Sequence, residues 1–215
     1  MRSTILRTAA LSAVALGAVT GLPAHAAAPF KNVTINDAAG DANGLNGQGL
    51  VDGAPSQSTP SDYSGGDIVS ISWTSLGTTA KPAGFKVVMK LSGAPSAGTI
   101  YRVTTQTADC SVFWLTYTAY GDGPTKGTLQ HNCPGFTAKS ATSTSESDDL
   151  TPAVSGSTIT WTVPTSLVPK AVKQGTAITN LSGETRFMAG TSATGGATVP
   201  VIDAAKGDGT FTYGK

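Results

Sequence analysis

The chain has 215 residues, with 14 Lys and Arg against 13 Asp and Glu, for a formal net charge of +1. A balance so close to neutral excludes the basic footprint that nucleic acid or an anionic membrane surface requires. Only 13% of the residues are charged, about half the usual share, and Ser, Thr, Gly and Ala fill the gap, a composition that favours β-structure over disorder.

The first element is an export signal. Met1 to Arg7 carries two positive charges, Thr8 to Thr20 is apolar, and Ala24-His25-Ala26 is a small-residue cleavage site. That order is the one read by secretion machinery, and the apolar part is too short and too rich in Ala and Gly to span a membrane, which takes about 20 apolar residues. The expected organisation is a signal peptide over residues 1–26 and one domain over residues 27–215, secreted and free or held at the cell surface. Without Arg2 and Arg7 the formal charge becomes −1.

Strands with a period of two follow. Val33-Thr34-Ile35 is a short one. Asp37 to Gly66 is dominated by Gly, Asn, Ser, Asp and Pro and reads as a long surface loop. Val69, Ile71 and Trp73 then alternate with Ser70, Ser72 and Thr74, and Phe85, Val87, Met89 and Leu91 alternate with polar neighbours, so each run has one face for a core. Tyr101 and Val103 continue the pattern weakly. Residues 111–120 and 128–132 flank the turn cluster Gly121 to Gly127 and predict a hairpin with Cys110 and Cys133 at its open end. In an oxidising compartment these two cysteines are expected to be bridged, at a gain of roughly 3 kcal/mol. A zinc site would want four donors, and only His131 is near.

Thr137 to Asp149 is a Ser/Thr run ending in acidic residues and reads as a second surface loop. Ile159, Trp161 and Val163 set among threonines form the clearest strand of all. The best helical candidate, Thr165 to Val168 between Pro164 and Pro169, is a turn at most. Strands without helical partners predict an all-β fold, an antiparallel sandwich of jelly-roll or immunoglobulin-like type with one disulfide.

Few residues offer catalysis. His131 is the only histidine beyond the signal, no Gly-x-Ser-x-Gly elbow is present, and the residue reads as a partly exposed strand histidine. Glu146 and Glu184 are the only glutamates, and their spacing gives no reason to place them ~5 to 9 Å apart as glycoside hydrolysis demands. The acidic loop is the stronger signal. Asp37, Asp41 and Asn43 crowd a glycine-rich segment after the first strand, and Asp67 opens the next, a set of hard oxygen donors suited to Ca²⁺. Donor spacing fails the EF-hand pattern at Ala39 and Leu45, and Asp and Asn are also ordinary turn formers.

The Asp37 to Asp41 pattern after a first strand, Asp67-Ile68 at the start of the next, and Gly156 to Pro164 as a later strand resemble the DOMON and family-9 carbohydrate-binding-module group, over about Lys31 to Tyr213. The resemblance implies a jelly-roll-like sandwich that binds sugar or haem. It also implies structural calcium, with Asp37, Asp41 and Asp67 as ligands and Asp203 as a further one. Haem would need His131 with Met89 or Met188, and Met89 is explained by core packing on its strand. Sugar would need aromatic platforms, for which Trp114, Tyr120 and Tyr101 are the candidates. The expected function is a non-catalytic module for carbohydrate or another extracellular surface. The alternatives are a hydrolase or protease inhibitor acting through a loop such as Asp122 to Lys126, and a structural protein without a small ligand.

Overall fold

The computed structural model describes residues 30–42, 64–111, 113–119, 126–135, 146–187 and 201–215. The alternating runs become two packed antiparallel sheets. One holds β1 (Val33–Asn36), β2 (Ile68–Thr78), β3 (Lys81–Leu91), β8 (Ala153–Ser155) and β9 (Thr158–Pro164), in the order β1-β2-β3-β9-β8. The other contains β4 (Thr99–Gln106), β5 (Phe113–Ala119), β6 (Lys126–His131), β7 (Glu146–Asp149), β10 (Ala177–Phe187) and β11 (Val201–Gly207), in the order β11-β10-β4-β5-β6-β7, with β12 (Phe211–Thr212) paired to β10. Among the described residues no helix is long and apolar enough to cross a membrane.

The core lies between the sheets because each strand turns its apolar parity inward. Trp73, Phe85, Val87, Met89 and Trp161 face Tyr101, Val103, Leu115 and Leu129, all at most 2% exposed. Phe85 bridges the layers, its ring centroid 6.0 Å from that of Phe113 and 5.9 Å from that of Phe211. Burying each such side chain contributes roughly 1.5–3 kcal/mol. The predicted hairpin is present, with β5 and β6 paired from Phe113↔His131 to Thr118↔Lys126. Cys110 and Cys133 are bridged at its open end, their Cα atoms 4.3 Å apart.

Two local readings are corrected. Val69 does not join the core. The β2–β3 register passes from Ile68↔Leu91 to Ser70↔Lys90, so Val69 is the extra residue of a bulge. Ile68 and Ile71 are fully buried instead. The end of the second polar loop is also a strand. β7 pairs with β6 from Thr128↔Asp149 to His131↔Glu146, so Glu146 to Asp149 form the sheet's edge, where charge discourages further pairing.

Candidate metal centre

Two carboxylates of the loop after β1 and one from β11 meet at the edge where β1, β2 and β11 approach one another. One oxygen each from Asp37, Asp41 and Asp203 lies within 4.8 Å of the others. Asp37 is delivered by an extension of the first sheet, since its backbone N–H donates to the Val69 carbonyl at 2.9 Å. Asp203 is delivered by a second bulge. The β10–β11 register passes from Thr185↔Asp203 to Arg186↔Val201, which leaves Ile202 and Asp203 both buried in succession and turns the carboxylate inward.

Asp67 stands behind the trio as its organiser. It is 2% exposed, and its Oδ2 accepts the Gly40 N–H at 2.7 Å and the Ser92 hydroxyl. It thereby pins the loop that carries Asp37 and Asp41. The segment before it is fixed by Tyr101 and Thr185, whose hydroxyls donate to the Gly65 and Gly66 carbonyls. Asp203 in turn accepts the Ile68 N–H at 2.6 Å and the Ala204 N–H at 2.7 Å.

These contacts leave the cluster electrostatically incomplete. Asp37 Oδ2 and Asp67 Oδ1 are buried and have no hydrogen-bond partner among the described residues, an arrangement that normally costs ~1–3 kcal/mol per group. Burial, and then the neighbouring Asp37 and Asp41, push the Asp203 carboxyl up to about 6 against the two N–H donors that oppose the shift. Burial likewise raises Asp37, with Asp41 and Asp67 adding to it and the Ala38 N–H opposing. A divalent cation held by Asp37, Asp41 and Asp203 would answer the repulsion among them, and an all-oxygen donor set fits Ca²⁺ or Mg²⁺ better than a softer metal.

The other expected site residues separate. Trp114 lies on the outward face of its sheet, half-buried, with the Arg102 guanidinium 4.9 Å from its ring centroid. Tyr101 is a correction. It is fully buried and stacked on Tyr117, with its hydroxyl bonded to Gly65 and accepting the Ser96 N–H, so it offers no face to a ligand. Tyr120, Met188 and the turn Asp122 to Thr125 lie outside the described residues. Met89 is core.

His131 is only 6% exposed, which overturns the expected partial exposure. It stacks on Phe113, and its Nε2 is 3.9 Å from Glu146 Oε2. Burial lowers its pKa, against Glu146 and Asp148. These groups line a cleft of about 230 Å³ closed on the other side by residues 166–170. Glu146 and Glu184 sit on β7 and β10, four strand spacings or roughly 19 Å apart, too far to act as a glycosidase pair.

The charged network around Glu184 escaped sequence reading. Register puts Arg102 directly opposite Glu184. The two are paired at 3.3 Å, and Arg186 meets the second Glu184 oxygen at 2.8 Å. No family model, curated protein or solved structure matches the chain.

Proposed function

We propose that this protein is an exported, non-catalytic binding module. A calcium ion held by Asp37, Asp41 and Asp203 ties its two sheets together at one edge. One observation carries the metal reading: one oxygen each of Asp37, Asp41 and Asp203 lies within 4.8 Å of the others, and Asp37 also has a buried oxygen without a hydrogen-bond partner among the described residues. The ion would supply positive charge to oxygens that otherwise repel one another. The Asp-x-x-Gly-Asp motif and Asp67-Ile68 support the likeness to the DOMON and family-9 group, and the signal-like N-terminus supports export. The outward Trp114 favours carbohydrate as what the module binds.

A thermal melt in calcium and in chelator tests the metal. A ligand bound only by the folded state stabilises it, by about 2.7 kcal/mol at a hundredfold excess over Kd. Calcium is expected to raise the melting temperature of the parent and not that of Asp41→Asn, whose exposed side chain contributes little else. An identical melting temperature in both buffers would sink the site.

A further inference from the structure

We infer that the outer face of the β11-β10-β4-β5-β6-β7 sheet is a docking surface for a polysaccharide that bears carboxylates, a polyuronate. This rests on the reading of the domain as a carbohydrate-binding module and names its substrate class.

Register defines the face. Residues directly opposite in antiparallel strands share a side of the sheet, and the chain of pairs Lys206↔Ser182↔Thr104↔Trp114 places Lys206 and Trp114 on the same side. Glu184↔Arg102↔Thr116↔Thr128↔Asp149 forms the next row, and Arg186↔Ile100↔Thr118↔Lys126 the third. Among the described residues four cations, Arg102, Arg186, Lys126 and Lys206, therefore stand with two acids, Glu184 and Asp149. Without Arg2 and Arg7 the chain's formal charge is −1, yet the described residues of this face carry two excess positive charges.

Three features select a sugar acid. Trp73 and Trp161 are in the core, at most 1% exposed, whereas Trp114 is half-buried on the outward side beside Thr104 and Gln130, with the Arg102 guanidinium over one face of its ring. An aromatic face beside hydroxyls and amides matches a pyranose ring. The two guanidiniums show how a carboxylate is held on this face, because Glu184 lies between them at 3.3 and 2.8 Å, and planar guanidinium is matched to carboxylate oxygens. The charge is too sparse for nucleic acid, which presents one phosphate per ~1.7 Å of duplex.

The experiment uses the protein with polygalacturonate, alginate and hyaluronan, each beside its carboxyl-reduced form, in affinity gels and by calorimetry. At least one polyuronate is expected to bind, about tenfold more tightly than its reduced form, and to weaken several-fold between about 50 and 300 mM salt. Arg102→Gln and Trp114→Ala each weaken binding about tenfold, with the circular dichroism spectrum unchanged. Glu184→Gln removes the internal competitor and is expected to tighten binding, a gain that a misfolded variant cannot produce. Equal binding of charged and reduced forms overturns the selection of acid and leaves the carbohydrate module standing. No binding to any charged or neutral glycan removes both. Oligo-dT held as tightly as the best polyuronate overturns the inference in favour of a phosphate polymer.

Discussion

Asp203 shows how one side chain could couple the fold to a bound cation. Its carboxyl titrates at about 6 in the metal-free fold and near 3.8 when unfolded. Between these values the folded state binds the extra proton, so stability falls as pH rises through that window and stays lowered above it. A shift of this size corresponds to roughly 3 kcal/mol. Asp203→Asn removes the charge and keeps one oxygen for two N–H donors, losing a hydrogen bond of ~1 kcal/mol. In chelator the variant is therefore expected to be the more stable protein at neutral pH, and in calcium the less stable one. Urea midpoints at about pH 4.5 and 7 check this, and a variant that keeps the parental pH slope in chelator would show that the repulsion lies elsewhere. Asp37 and Asp41 were legible in the sequence as donors on a glycine-rich loop. Asp203 was reached only through a family resemblance, because no local pattern tells that β11 passes beside residues 135 positions earlier.

Elements positioned the site by departing from regularity. Strict alternation identified β3 and β9 and the β5–β6 hairpin, where core residues recur at every second position. It held for Ile71 and Trp73 of β2 but failed at Val69, and it could not foresee β11, since a bulge inserts one residue into each, and those insertions bring the Ile68 N–H and the Asp203 carboxylate together. β7 was illegible for another reason. An edge strand of acidic residues buries no apolar side chain and is held by backbone pairing to β6. The approach of β1 to β11 depends on Gly207, where an added Cβ would lie 2.0 Å from Ile35 Cγ2 and 3.1 Å from its Cβ. Ile35 is β-branched and stiff at that bond, so Gly207→Ala is expected to cost about 1–3 kcal/mol and to displace Asp37 two residues on, weakening calcium. Adding Ile35→Ala should restore part of both losses. A double variant destabilised by the full sum would show that the two residues do not press on each other.

At the scale of the whole molecule, covalent and ionic ties act at different places. The disulfide closes the β5–β6 hairpin within one sheet. The acidic cluster joins different sheets, with Asp37 following β1 of the first and Asp203 on β11 of the second. β1 is a four-residue edge strand, paired on one side only and with a single buried side chain, Ile35. Such an element opens locally at much less than the global unfolding cost, so it is where loss of a cation should be felt first. Hydrogen exchange read by mass spectrometry with calcium and with chelator is expected to show faster exchange over 33–37 and 68–70 on metal removal. The backbone of 113–119 and 126–131, stapled by the disulfide and flanked by strands on both sides, should exchange unchanged. A uniform increase would mean that the cation stabilises the molecule globally without tying this edge. An increase confined to the hairpin would place the ion elsewhere. The localised pattern alone agrees with a cation acting as a clasp between sheets, whose loss frees β1 while the core formed by Trp73, Phe85, Trp161 and Leu115 stays closed.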